Sequence, residues 1–416
     1  MILKLLIVTS LFEACLAASK YKEDDRIVPK FLINWLSPQY NRNHQRVLDF
    51  IHRVSGYDPN NFEILQKTDQ WQQVIERFPC NTTGFQSPEK PTSVHRLMPG
   101  DIDVVGCLGD SLLLATGGLG TNVIHTTVDN RGIAWALGGQ GTWRNVLTIA
   151  NILREYNPNL VGYSYGDSTT HARAAQFNVA EIGAISQDLV YQAGLLVKRM
   201  RSDPRVDFEN HWKLVFMQIG NNDYCTHMCY KNASIQPELH RRDLTNVFNY
   251  LRKNMPRALV ALVINPHLDK LLDYPTKPAC LIFQTMVCSC FRGFKFARRK
   301  KELYQVIEEW RKVQLEMASD PQFTTDTFAV IPLRFGIDAY IPTINGKIDF
   351  SYMAADCFHF SQKGNAALAN AAWNNLIQPV EQQQTTVYPA FERFECPSSR
   401  NPYLTTLTNK NNLLIS

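Results

Sequence analysis

The sequence of 416 residues lacks the features of several specialised classes of protein. After the first twenty residues no apolar stretch approaches the length of a membrane span, and the polar C-terminal stretch does not match a lipid-anchor signal. We find no internal repeat and no low-complexity linker. The formal net charge of +5 is modest for this length and does not indicate the dense basic face of a nucleic-acid-binding protein.

Paired C-x-x-C spacing, the common framework of zinc sites, is also missing. The clustered cysteines occur in "CTHMC" and "CLIFQTMVCSC", so we expect no metal site, and no cofactor motif is present. Cys225 and Cys229 are close enough in sequence for a local disulfide, and Cys280 for one with Cys288 or Cys290. These clusters therefore indicate disulfides.

What the N-terminus does contain indicates export. The stretch "MILKLLIVTSLFEACLAASK" predicts a cleaved signal peptide over residues 1–18. Asn81 and Asn232 begin N-x-S/T glycosylation sequons. Loss of Cys15 with the signal peptide leaves nine of the ten cysteines, so at least one is expected to be free or paired with another chain. We predict a secreted, glycosylated, disulfide-bonded chain without a transmembrane anchor.

The rest of the chain divides by pattern into three parts. Residues 19–94 are interpreted as a helical N-terminal extension, with one helix through Val47 and Val54 and a second at 70–78. Residues 95–380 alternate short apolar runs with amphipathic helices, and residues 381–416 form an irregular tail. Continuous apolar strands separated by helices predict an α/β fold, with a mainly parallel sheet covered on both faces. The predicted strands lie in "DIDVVGCLGD", "AQFNVAEIG", "WKLVFMQIG", "RALVALVIN" and "TFAVIPL".

Residues 290–302, "CFRGFKFARRKKE", interleave aromatic and basic side chains. We interpret this segment as the solvated start of a helix beginning near Lys300. A secondary hypothesis is a patch that touches anionic lipid headgroups.

Three serines stand in hydrolase-like signatures. Ser111 and Ser168 each follow Gly-Asp, and Ser164 lies in a G-x-S-x-G. Ser168 is only ten residues before Asn178, too few for a crossover helix before the next predicted strand. The strand before Ser164 is too short for a nucleophile elbow. Ser111 follows a buried apolar run with ample chain after it, so we favour Ser111 as the nucleophile.

A carboxylate and a histidine downstream complete the predicted site. Asp356 precedes His359 by three residues, so Asp356 can accept the Nδ1 proton and leave Nε2 to act on Ser111. Asn222 and Gly183 follow predicted strands, where an amide side chain and an unobstructed N–H suit an oxyanion. With the Ser111 N–H they predict a three-donor oxyanion hole.

Four motifs in order now establish a resemblance. They are G-D-S-L at 109–112, N-x-A-x-x-G at 178–183, G-x-N-D at 220–223 and D-x-x-H at 356–359. The chain resembles a GDSL (SGNH) hydrolase over roughly residues 95–378, and within that superfamily it is similar to animal phospholipase B-like lipases. The resemblance implies a three-layer, flavodoxin-like α/β/α sandwich. It also implies a catalytic triad of Ser111, Asp356 and His359, supported by the motif residues Gly109, Asp110, Gly220 and Asp223.

The resemblance further implies a secreted enzyme that cleaves acyl esters of phospholipids or lysophospholipids through an acyl-enzyme, in transient contact with a membrane or micelle. The sequence departs from the family pattern at Asn221, where many relatives have glycine, and at the leucines after Leu112. Two alternatives stay open. One is an esterase for small or carbohydrate-linked esters, and the other is a catalytically silent lipid-binding protein.

Overall fold

A computed structural model describes residues 46, 68–120, 123–267, 272 and 278–409. Its strands are β1 (Ile102–Gly109), β2 (Trp212–Gln218), β3 (Ala258–Val263), β4 (Phe328–Leu333), β5 (Thr343–Ile344) and β6 (Lys347–Ile348). The α-helices with described bounds are α1 (Ile149–Tyr156), α2 (Leu189–Ser202), α3 (Gln236–Asn254), α4 (Pro278–Val287), α5 (Ser289–Arg292), α6 (Lys300–Ala318) and α7 (Gln362–Ile377). Short 3-10 turns connect many of them.

The central sheet contains β1, β2, β3 and β4, side by side in chain order. Every pairing is parallel, and the register runs from Cys107 through Phe216 and Ala261 to Ile331. Parallel strands place all their carboxyl ends at one edge, where the connecting loops meet. The predicted three-layer α/β/α sandwich is confirmed.

Alternate residues of each strand face two separate cores, which explains why the strands are continuously apolar. On β2, Phe216 packs with Trp373 of α7 and Leu153 of α1 in one core. Its neighbour Met217 packs in the other core with Leu196 of α2, and α3 and α6 contribute further side chains. Both faces of the sheet are therefore covered by helices, as expected for a parallel sheet.

The strand predicted in "AQFNVAEIG" is wrong as a regular element. Asn178 makes only an isolated parallel bridge to Cys107, with hydrogen bonds from Cys107 N to Phe177 O at 3.1 Å and from Val179 N to Cys107 O at 3.0 Å. The backbone φ of Gln176 is +51° and that of Gly183 is +71°. Because these conformations interrupt an extended chain on either side, the segment becomes an irregular edge of the sheet.

The predicted helix at 70–78 is also wrong, while the helix predicted through Val47 and Val54 lies outside the described residues. Residues 70–78 are irregular because Gln72 bonds to the body of the protein, from its N–H to Gln362 Oε1 at 2.7 Å. Beyond Gln382, the described residues up to 409 hold no α-helix or strand. A disulfide between Cys80 and Cys396 joins the two flanking parts.

The local disulfides expected within each cluster are wrong. Cys225 pairs with Cys288 and Cys229 with Cys290, because the helical turns at 223–230 pack against the segment that follows α4. Cys280 is bonded to Cys357, far outside its own cluster. Cys107, buried in β1, is free, which confirms the expectation of an odd thiol.

The basic and aromatic segment 290–302 contains the end of α5, a 3-10 turn (Phe294–Arg299) and the start of α6. The predicted helix start near Lys300 is confirmed. Phe294 is 97% exposed, whereas Phe296 is buried. Among the helices that the structure describes, none combines the length and apolar character of a membrane span.

Candidate active site

Ser111 begins a 3-10 turn at the carboxyl end of β1. Gly109 has φ +145°, and any side chain there would collide with the carbonyl of Gln218 on β2, so only glycine lets the strand end this close to its neighbour. Asp110 caps the turn, because its carboxylate accepts a hydrogen bond from Leu112 N at 3.0 Å. The tight turn holds the Ser111 hydroxyl at the edge of the sheet.

The structure brings the predicted acid, histidine and serine together. His359 Nε2 lies 2.8 Å from Ser111 Oγ, and His359 Nδ1 lies 2.5 Å from Asp356 Oδ2. The other oxygen of Asp356 accepts from the N–H groups of Phe358 and His359 at 3.0 and 2.9 Å. This local turn explains the three-residue spacing, because one carboxylate both closes the loop and orients the imidazole.

Electrostatics support this orientation. Burial opposes the charged imidazolium, but the charge and hydrogen bond of Asp356, together with Asp110 and Asp129, raise the pKa of His359 above its ordinary value of 6.5. Burial also opposes the carboxylate of Asp356, yet His359 and the two backbone donors lower its pKa. The site thus favours a carboxylate beside an imidazole that readily accepts a proton.

The other two serines lie in different surroundings. Ser164 is fully buried and its hydroxyl donates to the carbonyl of Ala175 at 2.8 Å. The hydroxyl of Ser168 is buried without a hydrogen-bond partner among the described residues. Neither hydroxyl is hydrogen-bonded to a histidine in the described part of the chain, so Ser111 is the serine that the geometry selects.

Of the predicted oxyanion donors, Ser111 follows β1, Asn222 follows β2, and Gly183 follows the irregular edge segment around Asn178. The Asn222 side chain donates one amide hydrogen to Ala184 O at 3.0 Å, which leaves its second amide hydrogen for another acceptor. Within the described residues, the N–H groups of Ser111 and Gly183 make no hydrogen bond. Their role toward an oxyanion stays a prediction.

The loop that follows Gly183 is held by Asp223, a predicted motif residue, and by His240, which sequence reasoning missed. Asp223 accepts from Ser186 N at 3.2 and 3.1 Å, and burial raises the pKa of Asp223 to about 7. The Ser186 hydroxyl lies 2.9 Å from His240 Nδ1. Since His240 is on α3, far along the chain, no sequence motif pointed to it.

The asparagine of N-x-A-x-x-G has a structural role. Asn178 Nδ2 donates to Leu113 O at 2.8 Å, which ties the Ser111 turn to the loop that leads to Gly183. Arg131, a fully buried arginine, donates to Asn178 Oδ1 and pairs with Asp129. The sequence does not single out Arg131, because a lone arginine in a loop carries no signal of burial.

Asn221, the departure from the family pattern, contacts Asp110, which precedes Ser111. Its Nδ2 donates to Asp110 Oδ2 at 3.2 Å. Burial raises the pKa of Asp110 to about 6. The hydrogen bonds from Leu112 and Asn221 act in the opposite direction and lower this pKa. Asn221 therefore stabilises the charged form of the capping residue. Gly220 precedes it with φ +119°, where a side chain would approach the Asn265 amide at 2.5 Å.

An apolar cavity adjoins these residues. Its wall includes Leu112, next to Ser111, and Phe358, next to His359. Val263 and Phe335 from the sheet side and Ala367 and Leu368 from α7 also line it. A pocket with this lining suits a hydrocarbon chain better than a sugar.

A serine, an imidazole and a carboxylate lie in hydrogen-bonding sequence at the carboxyl edge of a parallel sheet, which is the arrangement expected of a serine hydrolase. A model of the GDSL-like lipase/acylhydrolase family matches residues 105–372, a stretch that contains all three. The chain belongs to this family, so the predicted GDSL-type carboxylic ester hydrolase is confirmed at the level of the family.

Curated relatives agree with this assignment. The chain is 32% identical over 398 residues to rat "Phospholipase B1, membrane-associated", covering 94% of this chain and 26% of the relative. The human protein of that name is 34% identical over 323 residues, covering 77% of this chain and 22% of the relative. The chain thus spans about a quarter of the length of these relatives.

Proposed function

We propose that this chain hydrolyses acyl esters of phospholipids or lysophospholipids, with Ser111 as nucleophile. The observation that carries the proposal is the Asp356–His359–Ser111 hydrogen-bond sequence beside an apolar cavity. The family match supports ester hydrolysis, and the names of the phospholipase B1 relatives support a phospholipid substrate.

In the first half-reaction, Ser111 Oγ bonds to the acyl carbonyl carbon while its proton passes to His359 Nε2. The carbonyl electrons move onto oxygen, where the N–H groups of Ser111 and Gly183 and the second amide hydrogen of Asn222 stabilise the charge. The ester C–O bond then breaks, and His359 gives its proton to the leaving alcohol. An acyl-enzyme remains.

In the second half-reaction, water replaces the alcohol. His359 takes a proton from water as the oxygen attacks the acyl carbon, and the proton returns to Ser111 when the acyl bond breaks. Asp356 stays ionised throughout, because its role is to hold the imidazole and to stabilise the imidazolium. The products are a fatty acid and the free enzyme.

The cavity favours a fatty acyl group over the small or carbohydrate-linked esters that the sequence left open. Most side chains that line the cavity, such as Leu112 and Leu368, are hydrocarbon. Burial of an acyl chain against them stabilises the complex by about 0.8 kcal/mol per buried CH₂ group. A silent lipid-binding protein would gain nothing from the ordered acid–histidine–serine contacts.

The proposed function includes export. Four disulfides occur among the described residues, which is typical of an oxidising compartment. The signal peptide at residues 1–18 and glycosylation at Asn81 and Asn232 belong to the same proposal. Expression in cultured animal cells, followed by mass spectrometry of the medium, tests the new N-terminus and both glycans.

Covalent labelling tests the nucleophile directly. The purified chain is treated with a fluorophosphonate, digested and analysed by mass spectrometry, with the Ser111→Ala variant as matched control. We expect the tag on Ser111 and none on the variant, and release of fatty acid from phospholipid by the parent alone. A tag on Ser164 or Ser168, or equal lipid hydrolysis by Ser111→Ala, contradicts the proposal.

A further inference from the structure

The helix α4 exposes an apolar face next to the proposed active site. Ile282 and Met286, four residues apart on the same side of the helix, are 63% and 70% exposed. Leu281 is 44% exposed, and Phe294, just beyond α5, is almost wholly exposed. We name Leu281, Ile282, Met286 and Phe294 the α4 face. Exposed apolar side chains in a cluster are unusual on a protein that meets only water.

The opposite side of α4 is anchored to the loop of the triad. Cys280 is bonded to Cys357, which lies between Asp356 and His359. Gln284, one turn further along the helix, donates to Cys357 O at 3.0 Å and lines the apolar cavity. The α4 face is therefore presented by a helix whose inner side forms part of the cavity wall.

Two more disulfides hold the chain just after α4. Cys288 is bonded to Cys225, and Cys290 to Cys229, and both half-cystines are buried. These bonds attach the segment at its inner side. The exposed apolar residues therefore lie on a segment that the disulfides hold in place. A flexible loop, in contrast, could bury such residues against the protein.

The segment that carries this face has charge of one sign. Residues 278–301 contain no Asp or Glu and six basic residues, all of which follow the uncharged α4. Lys295, Arg298 and Lys301 are exposed, and Arg299 is paired with Glu302 at 2.9 Å. Apolar side chains bordered by cations match the interface of an anionic lipid layer, with hydrocarbon below and phosphate above.

We propose that the α4 face docks the protein on an anionic lipid surface, so that an ester drawn from that surface enters the cavity beside Gln284. The occupant is a lipid layer because the charge complements phosphate headgroups and the face adjoins a cavity suited to acyl chains. This inference rests on the proposed function, and it adds where the lipid aggregate binds.

Vesicle binding tests the face without turnover. In a Ser111→Ala background, which prevents hydrolysis, co-sedimentation is measured with vesicles of phosphatidylcholine plus phosphatidylglycerol and of phosphatidylcholine alone. We expect preferential binding to the anionic vesicles. Ile282→Asp with Met286→Asp should weaken that binding at least tenfold, and Arg298→Gln with Lys301→Gln about fivefold per charge removed. Val190→Asp, at an exposed valine of α2, is the matched control and should bind as the parent does.

Activity on two substrates separates this inference from the proposed function. With Ser111 restored, the Ile282→Asp, Met286→Asp variant should hydrolyse a soluble short-chain ester at the parental rate and lose most activity on anionic vesicles. If the parent hydrolyses no ester, the proposed function fails while the binding result still stands. Unchanged vesicle binding by this variant overturns docking, as does a parental dimer that the variant dissociates, since a second copy would then cover the face.

Discussion

Among the residues that the structure describes, two buried serines are each hydrogen-bonded to a histidine, and one of these pairs has the surroundings expected of a catalytic site. In the first pair, Ser111 Oγ lies 2.8 Å from His359 Nε2. In the second, Ser186 Oγ lies 2.9 Å from His240 Nδ1. The two distances are nearly equal, so distance alone does not distinguish a nucleophile from a structural hydroxyl.

The two pairs differ in what surrounds the second nitrogen of each imidazole ring. His359 has a carboxylate on its second nitrogen, and its pKa is raised by Asp356 against the effect of burial. His240 stacks on Trp310 at 4.2 Å, its Nε2 has no partner among the described residues, and burial lowers its pKa to about 3. A histidine that resists protonation this strongly is a poor general base. The group on the second ring nitrogen is therefore what distinguishes the two pairs.

Replacing each serine gives the largest expected contrast. Ser111→Ala should reduce kcat for ester hydrolysis by ~10⁴-fold or more, because the nucleophile is lost. Ser186→Ala should stay within about tenfold of the parent, since that hydroxyl meets no reacting atom in the proposed mechanism. Steady-state kinetics on a soluble ester measure both, with circular dichroism as the control for folding. Comparable losses in the two variants would contradict the distinction.

Removing the carboxylate should make the first pair more like the second. Asp356→Asn keeps the shape of the side chain but no longer stabilises the imidazolium, so we expect kcat to fall by ~10²- to 10⁴-fold. His359→Ala should lose at least as much, because the proton acceptor itself is gone. The same ester assay compares them. An Asp356→Asn variant as active as the parent would show that the acid plays no part.

The pH dependence should follow His359 alone. The base must be neutral, so kcat/KM should fall about tenfold per pH unit below the raised pKa of His359, which lies above 6.5. In Asp356→Asn this acid limb should move to lower pH, because the group that raises the pKa has lost its charge. Asp110, whose pKa is about 6, titrates nearby. A limb that moves with Asp110→Asn and stays in place with Asp356→Asn would contradict the assignment to His359.

The smallest expected effect is on stability at the second pair. Ser186→Ala leaves buried His240 Nδ1 without its partner and should lower the free energy of unfolding by ~1–3 kcal/mol. Adding His240→Phe removes both polar partners and keeps a ring against Trp310, so the double variant should recover part of this loss. Urea denaturation measures the parent, Ser186→Ala, His240→Phe and the double variant. A double variant less stable than the sum of the single changes would show that His240 has a further polar role.

Most of the fold and the triad could be predicted because their signals are local. The apolar runs of β1 to β4 and the periodic patterns of α2, α3, α6 and α7 are legible in the sequence, and each became a regular element. The spacing of Asp356 and His359 is itself a turn closed by one carboxylate. The strand predicted in "AQFNVAEIG" failed because the backbone at Gln176 has a positive φ, which the composition of the segment does not indicate.

The order of residues along the chain was enough to indicate the family through its four motifs, to predict most of the strands that alternate with helices, and to favour Ser111 as the nucleophile. Folding in three dimensions was needed to bring Cys225 to Cys288, Ser186 to His240, and α4 to the loop of the triad through Cys280. The physical reason is that the chemistry of a side chain and the identity of its neighbours in sequence can be observed directly. Contacts between distant segments, in contrast, depend on how whole helices and loops pack.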